Sequence, residues 1–413
     1  MHVRQASARK AVVGTDENIA FSPPDISQQE IDEVTEVLRS GWITTGPKTK
    51  EFEKRIAKYC GTERAVCLNS ATSALSLVLR ILGIGKGDEV ITTVYTYSAS
   101  ASVICHVGAT PVLVDTAPGS FLIDYDSVER AVTEKTKAII GVDIAGMMCD
   151  YPRLLAIARA KAGLFHPKDG MQQALGRIAV IADAAHSFGA EYGGVISGSA
   201  ADFSCFSFHA VKNLTTAEGG GAVWRSIEGV SDEEIYRLFM LFSLHGQSKD
   251  ALAKTMLGNW EYDIVALGFK CNMPDILAAV GLAQFNRLPE LMKRRLEIVK
   301  GYERALDDDR FILPPHFAPG MRSSLHLYPV RLRGADEARR NRIIEQMAQG
   351  GVSTNVHYKP LPMFTAYKRL GFAIEDYPNA FAQYQNEVTL PLHTLLSDDN
   401  VALISDTLKK VNS

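Results

Sequence analysis

Residues 64–115 read RAVCLNSATSALSLVLRILGIGKGDEVITTVYTYSASASVICHVGATPVLVD, and this stretch decides the fold class. Longer amphipathic runs predict helices at 72–82 and 99–106. Short runs rich in β-branched residues predict strands at 64–68, 89–93 and 111–114. Strands that alternate with helices in this way are typical of a mainly parallel sheet covered by helices. The stretch therefore predicts an α/β protein.

The alternation continues toward the C-terminus. Further apolar runs predict strands at 137–142, 178–183, 203–208 and 221–224. With the first three, these make seven strands, which fit one large sheet. The stretch 164–176, LFHPKDGMQQALG, interrupts the pattern with proline, glycine and polar residues. It predicts an inserted surface loop.

The character of the sequence changes after about residue 272. A long charged helix is predicted at 276–306, and a helix begins at Ala335. Strands are predicted at 326–332 and near 352–357. This mixture is typical of a smaller α+β domain. We expect two domains, a large one that includes the N-terminal segment and the inserted loop, and a small C-terminal one: 1–265 and 266–413.

Composition limits the possible partners. The chain has 413 residues, of which 46% are hydrophobic, so it can bury a large core. Lys and Arg number 44 against 47 Asp and Glu, which leaves a net charge of -3 and no polybasic run. These values argue against nucleic acid or a membrane surface as a partner and favour a small metabolite as substrate.

The cysteines and the chain start bear on the cellular compartment. Six cysteines lie scattered, mostly inside apolar runs, and none forms a CxxC pair. They predict reduced core thiols and no metal site. The opening residues MHVRQASARKAVVG lack the apolar stretch of a signal peptide. Since no run approaches the roughly 18 apolar residues of a membrane span, we expect a cytoplasmic protein.

Residues that could take part in catalysis lie at or after the ends of two strands. Asp183 ends the strand at 178–183, and His186 follows it. Because ligands gather at the carboxyl ends of parallel strands, Asp183 could face a site, although it could equally cap a turn or a helix. Lys212 follows another strand, together with Ser207 and a triple glycine at 219–221. Taken alone, such a lysine is normally solvated and such glycines normally mark a turn.

A third sequence element makes a functional role for Asp183 and Lys212 more specific than either residue does alone. Residues 69–75, NSATSAL, form a strand-to-helix junction rich in hydroxyl groups. Free N–H groups and the positive end of the helix dipole suit a phosphate, although Ser and Thr are also ordinary N-caps. A phosphate cradle, a lysine that can form an imine, and an acid opposite a pyridine nitrogen are together what pyridoxal phosphate (PLP) requires. The combination predicts a PLP enzyme.

The sequence resembles the DegT/StrS family of PLP-dependent sugar aminotransferases, a branch of the fold-type I, aspartate-aminotransferase-like enzymes. The motifs that carry the resemblance cover nearly the whole chain: GWITTGPKTKEFE at 41–53, the stretch 82–115, DAAHSFGAEYGG, the Lys212 segment, residues 259–276 and VHYKPLP at 356–362. The resemblance implies a three-layer α/β/α large domain and transaminase activity.

The resemblance also implies a role for individual residues. Lys212 would hold PLP as a Schiff base and act as base and acid in the proton shift, while Asp183 would pair with the pyridine nitrogen. His186 would lie near the phenolic oxygen of the cofactor, although it could instead cap the following helix. Tyr97 would stack on the cofactor ring, although an aromatic residue after a strand is more often core. The phosphate would be bound by Thr72, Ser73 and Ser207.

The family pattern is broken at two places. In the family the active site lies at a homodimer interface, and the neighbouring subunit usually contributes an Asn from a GYNYRM-like motif. Here residues 268–273 read GFKCNM, so Lys270 and Asn272 hold the usual Asn and Arg positions. Either could reach the phosphate across the interface. Asp143 stands where relatives commonly carry a His, a departure that could bear on substrate fit or on PLP chemistry.

The resemblance implies glutamate as amino donor, leaving 2-oxoglutarate, and a nucleotide-linked keto-sugar as acceptor. The segment SFHAVKNLTTAEGG is most similar to the same segment in family members that act on a 4-keto sugar or pentose. Candidate substrate contacts are His326, His357 and Tyr358, each of which could be an ordinary polar residue of a domain junction. Three alternatives stay open: a cyclitol (inosose) aminotransferase, a non-catalytic PLP-binding regulator, and a PLP-dependent sugar dehydratase. Lys212 argues against the last, because such relatives typically carry His there.

Overall fold

The computed structural model describes residues 18–168, 170–248 and 261–413, so the predicted N-terminal segment is covered from residue 18 onward. Its α-helices are α1 (Gln28–Ser40), α2 (Pro47–Cys60), α3 (Ala71–Ile81), α4 (Ala99–His106), α5 (Tyr125–Ala131), α6 (Tyr151–Ala160), α7 (Gly170–Leu175), α8 (Asp232–Ser243), α9 (Asp275–Ala305), α10 (Glu337–Gln349), α11 (Thr365–Arg369), α12 (Pro378–Tyr384) and α13 (Asp398–Val411). Its strands are β1 (Ala65–Leu68), β2 (Glu89–Thr93), β3 (Thr110–Val114), β4 (Thr136–Val142), β5 (Ala179–Asp183), β6 (Glu191–Tyr192), β7 (Val195–Ile196), β8 (Phe203–Ser207), β9 (Gly220–Trp224), β10 (Phe311–Ile312), β11 (Met321–Arg322), β12 (Tyr328–Leu332) and β13 (Glu387–Leu390).

The seven predicted strands form one sheet, in the order β1-β9-β8-β5-β4-β2-β3. Strand β9 runs antiparallel to both of its neighbours, β1 and β8. The remaining neighbours are parallel. The carboxyl ends of β4, β5 and β8 therefore meet at one edge of the sheet. The predicted α/β class with a mainly parallel seven-stranded sheet is confirmed.

Apolar cores lie on both faces of this sheet. Successive side chains of a strand point to opposite faces, so β1 places Val66 and Leu68 in one core and Ala65 and Cys67 in the other. Helices α3, α4 and α8 contribute to the first core. Helices α2 and α6 and the first half of α9 contribute to the second. This is the three-layer arrangement implied by the family resemblance.

A second, antiparallel sheet lies in the C-terminal part, in the order β10-β12-β13. Its core gathers apolar side chains from the second half of α9, from α10 and from α13, including Tyr302, Met347 and Leu408. Helix α9 thus runs from the core of the large sheet into the core of the small one. The smaller α+β part agrees with the predicted fold class, and the domain boundary at 265/266 stays a prediction.

Two local predictions were wrong. Residues 164–176 are not a plain surface loop, because α7 begins at Gly170 and its Met171 and Gln172 are buried. The Gln172 amide donates to Leu82 O at 2.8 Å, which ties this segment to the large domain. Residues 352–357 form isolated bridges at Val352 and Asn355 rather than a strand. The small sheet consists of β10, β12 and β13, of which the sequence predicted only β12.

Five of the six cysteines are buried, Cys105 is exposed, and all six are free. Within the described ranges, no helix combines the length and the apolar character needed to cross a membrane.

Candidate active site

Asp183 lies at the carboxyl end of β5 and is only 6% exposed. Its Oδ2 accepts a hydrogen bond from Ser100 Oγ at 2.6 Å, and its Oδ1 accepts from the Ala185 N–H at 3.3 Å. Burial raises the pKa of Asp183, while these two donors and the charge of Lys212 oppose the rise. In the part of the chain that is described, no cation lies at ion-pair distance from this carboxylate. Asp183 is therefore a buried acid with unused capacity for a cationic partner.

Lys212 follows β8, the neighbour of β5, and its amine faces the same region. Burial lowers the pKa of Lys212 to about 8, against the opposing effect of Asp183. Across residues 18–168, 170–248 and 261–413, the Lys212 amine has neither a hydrogen-bond acceptor nor an ion-pair partner. A half-buried lysine with a lowered pKa and no partner has the properties of a lysine that reacts with carbonyl groups.

The N-terminus of α3 meets the large sheet at Gly220. A Cβ at this position would lie 2.3 Å from both Ser70 C and Ala71 N, so only glycine lets the helix start approach β9 this closely. Gly220 also pairs with Ser207 of β8. The missing side chain therefore brings Ser207 beside the first turn of α3, where the sequence predicted a phosphate site.

The first turn of α3 has free donors. Ser70 Oγ caps the helix by accepting from Ser73 N at 3.1 Å, and Ser73 Oγ donates to Asn69 Oδ1 at 2.7 Å. Within the described residues, the main-chain N–H groups of Ala71 and Thr72 have no acceptor. Free N–H groups at the positive end of a helix bind anions. Thr72 and Ser73 thus lie where the prediction placed them, at a site that suits a phosphate.

His186 is held by two hydrogen bonds. Its Nδ1 accepts from the Ala145 N–H at 3.3 Å, and its Nε2 lies 3.1 Å from the hydroxyl of Tyr358. Burial, followed by the charge of Lys212 and then His357, lowers the pKa of His186 well below its usual value, so the ring is neutral. Because Nδ1 accepts, Nε2 carries the proton and donates to the Tyr358 oxygen. The Tyr358 proton is then free to donate to a third group.

The two histidines that were predicted to contact the substrate, His326 and His357, lie close to His186 and Tyr358. The His326 ring lies 4.5 Å from the His186 ring, and its Nδ1 is 3.0 Å from Asn213 Oδ1. The His357 ring packs against Tyr358 with a centroid distance of 4.9 Å. Burial lowers the pKa of both rings, and the charge of Lys212 adds to this effect. The charge of Lys212 thus acts on three neutral imidazoles, those of His186, His326 and His357.

Tyr97, which follows β2, is 66% exposed. Its ring centroid lies 6.3 Å from that of Tyr358. An aromatic ring that is open to solvent beside a buried cluster offers a face on which a second planar ring can stack. Tyr97 is therefore not the core residue that was the alternative interpretation.

Lys270 and Asn272 lie beside the end of β1. The Lys270 amine bonds to Asn272 Oδ1, and Asn272 Nδ2 donates to Thr45 Oγ1 at 2.5 Å. The segment is fixed by a hydrogen bond from Asn69 N to Cys271 O at 2.8 Å. Their predicted contact with a phosphate of the neighbouring subunit stays a prediction.

Asp143 lies in the interior rather than in an open pocket. It is 1% exposed and accepts hydrogen bonds from Ser187 Oγ at 2.6 Å, Tyr151 OH at 2.7 Å and Cys149 N at 2.9 Å. Burial raises the pKa of Asp143 to about 7. With three internal donors, Asp143 stabilises the end of β4, and the geometry gives no support to its predicted bearing on substrate fit.

Some residues of the site were not predicted. Ser100 holds Asp183, and Asn213 donates to Ser324 O at 2.6 Å while its oxygen faces His326. Ser100 lies in TYSASAS, three positions after Tyr97 and in the first turn of α4, so its proximity to Tyr97 in the sequence could have indicated it. Asn213 directly follows Lys212 and has no comparable signal, because Ser324 and His326 are more than a hundred residues away in the chain.

These residues fit PLP. Within the described part of the chain, the buried carboxylate of Asp183 has no cationic partner, and a protonated pyridine nitrogen would supply one. The amine of Lys212 likewise has no partner there and could react with an aldehyde. The free N–H groups at the start of α3 match a phosphate, and the exposed ring of Tyr97 matches a planar heterocycle.

Comparisons with known proteins agree with this geometry. The model of the DegT/DnrJ/EryC1/StrS aminotransferase family matches residues 24–409. The spore coat polysaccharide biosynthesis protein SpsC of Bacillus subtilis is 37% identical over 397 residues, covering 95% of this chain and 97% of that protein.

Solved structures give the same result. The putative sugar aminotransferase Spr1654 of Streptococcus pneumoniae, in its PMP form, is 52% identical, with a TM-score of 0.92 and coverage of 96% of this chain and 98% of that chain. PseC of Helicobacter pylori, an aminotransferase involved in the biosynthesis of pseudoaminic acid, is 29% identical, with a TM-score of 0.83 and coverage of 95% and 99%. The chain therefore belongs to the DegT/DnrJ/EryC1/StrS aminotransferase family and is a sugar aminotransferase that uses pyridoxal phosphate as its cofactor.

Proposed function

We propose that the enzyme moves an amino group from glutamate to a nucleotide-linked 4-keto sugar, with Lys212 as the residue that holds the cofactor. The observation that carries the proposal is the Lys212 amine, which lies without a partner between the acid Asp183 and three neutral histidines. The relatives SpsC and PseC, named for polysaccharide and pseudoaminic acid biosynthesis, support a sugar acceptor used in building glycans.

When bound, PLP supplies an aldehyde that links to amines and a ring that withdraws electrons from the adjacent carbon. Lys212 Nζ gains and loses the proton that the transfer requires. With its pKa lowered to about 8, roughly a tenth of the amine is uncharged near neutral pH, which permits both nucleophilic attack and proton uptake. Burial near neutral rings is what keeps this proton exchangeable.

Asp183 would keep a proton on the ring nitrogen of a bound cofactor. Ser100 and the Ala185 N–H fix the carboxylate, whose remaining lone pairs are free to accept from that nitrogen. Ala71, Thr72, Ser73 and Ser207 would hold the phosphate. Tyr97 would stack on the ring, and His186 would lie near its phenolic oxygen. His326, His357 and Tyr358 would then face the substrates.

We also propose that the enzyme is a homodimer with shared active sites. The described segment after residue 260 exposes several large apolar side chains, among them Leu267, which is 94% exposed. Contiguous exposed apolar residues usually mark an interface. Sedimentation equilibrium is expected to give twice the chain mass of 45.2 kDa. A mass of a single chain at all concentrations would contradict this part of the proposal.

A half-reaction assay tests the substrate. The pyridoxamine form, prepared with glutamate and freed of it, is mixed with a nucleotide-linked 4-keto-hexose, a nucleotide-linked 4-keto-pentose or an inosose, and the return of PLP absorbance is followed. We expect PLP to return with a 4-keto nucleotide sugar. Return with the inosose alone would contradict the sugar assignment, and failure of glutamate to generate the pyridoxamine form would contradict the donor.

A further inference from the structure

Strand β13 carries two fully buried polar residues, Glu387 and Thr389, both 0% exposed. Thr389 forms a main-chain bridge with Asn355, with hydrogen bonds of 3.1 and 2.8 Å. In a regular antiparallel ladder the next hydrogen-bonded pair would be His357 opposite Glu387. Instead, the His357 N–H donates to the side chain of Glu387, to Oε2 at 2.9 Å. The carboxylate thus replaces a main-chain acceptor and lies directly beside His357.

One hydroxyl connects the carboxylate to the imidazole. Thr389 Oγ1 donates to Glu387 Oε1, and it also lies 2.9 Å from His357 Nδ1. A hydroxyl has a single proton. When Glu387 is ionised, the hydroxyl donates to it, and the Thr389 oxygen must accept from an Nδ1–H of His357. When Glu387 is protonated, it can donate to the Thr389 oxygen, whose own proton then turns toward a bare Nδ1.

The charges around this group leave both arrangements accessible. Burial raises the pKa of Glu387 to about 8, against the Thr389 and His357 donors and the charge of Arg340. Burial lowers the pKa of His357 to about 3, so the ring stays neutral near physiological pH. Among the residues described, none forms an ion pair with Glu387. Arg340 instead donates to the main-chain carbonyls of Tyr384 and Glu387, at 2.8 and 3.0 Å.

The groups that face Glu387 come from several elements. Arg340 lies on α10, and Arg331 is the cross-strand partner of Glu387 on β12. Burial raises the pKa of Tyr95 and Tyr358, and the Glu387 carboxylate adds to this rise. On the side of His357, Phe21 stacks on the ring at 5.7 Å, and the charge of Lys212 lowers the pKa of the ring in addition to the larger effect of burial. Among these neighbours, the free amine of Lys212, whose pKa burial lowers to about 8, changes its charge over the range in which Glu387 titrates. The Glu387→Gln variant separates the two titrations, because it removes only that of Glu387.

We propose that Glu387 and Thr389 are positioning residues that decide which ring nitrogen of His357 carries its proton. With Nδ1 taken by Thr389, Nε2 is the nitrogen left for the active site. It is a hydrogen-bond donor when Glu387 is protonated and an acceptor when Glu387 is ionised. A keto oxygen can only accept a hydrogen bond, so the donor form suits the keto-sugar, whereas the acceptor form requires a hydroxyl or an amine.

The placement of Nε2 toward a sugar rests on the proposed function, but the location of the proton does not. Nuclear magnetic resonance of the holoenzyme with ¹⁵N-labelled histidine distinguishes the two neutral tautomers directly. The His357→Gln variant assigns the signals. This measurement needs no substrate and no turnover, so it succeeds or fails independently of the sugar assignment.

In the wild-type holoenzyme we expect the pyrrole-type ¹⁵N signal of His357 to move from Nε2 at about pH 6 to Nδ1 at about pH 10, without protonation of the ring. Thr389→Ser keeps the hydroxyl and is expected to keep this exchange. Thr389→Val has the same shape without the hydroxyl and is expected to lose it, as is Glu387→Gln, which cannot ionise. One unchanged tautomer in the wild type, or an exchange that persists in Thr389→Val or in Glu387→Gln, would overturn the proposal.

Discussion

Replacing Lys212 with alanine is expected to lower the rate of amino transfer by a factor of about 10³ or more. The variant loses the amine that links to the cofactor and the Nζ that carries the proton. The lowered pKa of Lys212, about 8, is what makes this amine competent near neutral pH. The rate of PLP conversion by glutamate in a single turnover measures the effect on chemistry separately from product release.

The matched control is Lys161→Ala. Lys161 lies at the end of α6, where its closest acidic partner is Glu129 at 3.9 Å, and it is remote from the site. Its removal is expected to leave the rate unchanged. If Lys212→Ala retained a rate within about tenfold of the wild type, a barrier difference of only about 1.4 kcal/mol, Lys212 would not be the central residue.

Replacing Asp183 with asparagine is expected to lower the rate of the same half-reaction by a factor of about 10² or more, the second largest effect that we predict. Asparagine keeps the shape and can still accept from Ser100, but it carries no negative charge to hold a proton on a ring nitrogen. Because Asp183 is only 6% exposed, solvent screens its charge weakly, and the loss of that charge has a large effect.

Ser100→Ala provides a graded comparison for Asp183→Asn. It keeps the carboxylate but removes the 2.6 Å hydrogen bond, so we expect a smaller loss, of about tenfold. The absorbance spectrum of the bound cofactor supplies a second measurement, because it reports on the ring nitrogen. A half-reaction rate and spectrum of Asp183→Asn equal to those of the wild type would contradict the proposed role.

The large sheet was predictable because its strands are short buried runs bounded by helices. β4 is buried along its whole length, and its sequence TKAIIGV is almost free of charge. β13 was not predictable, since its buried residues Glu387 and Thr389 are polar and contradict the expected apolar pattern. Their hydrogen-bond partners include Asn355 and His357, which lie about thirty positions away in the chain and become neighbours only in the folded structure.

The candidate site, like the fold, was predictable only in part. Asp183 and Lys212 follow neighbouring parallel strands, so the topology alone brings them together. The contacts that orient the rings were not predictable. His186 depends on a main-chain N–H of Ala145, and His326 depends on Asn213, and neither partner has a pattern that distinguishes it in the sequence.

The central claim is that Lys212 holds the cofactor, and reduction followed by peptide mapping tests it most directly. The holoenzyme is treated with borohydride, which makes the link to an amine permanent, and is then digested and analysed by mass spectrometry. We predict that the cofactor mass lies on Lys212, in the peptide that contains FHAVKNLTTAE, and that Lys212→Ala carries no stable adduct. An adduct on another lysine, or none in the wild type, would contradict the account.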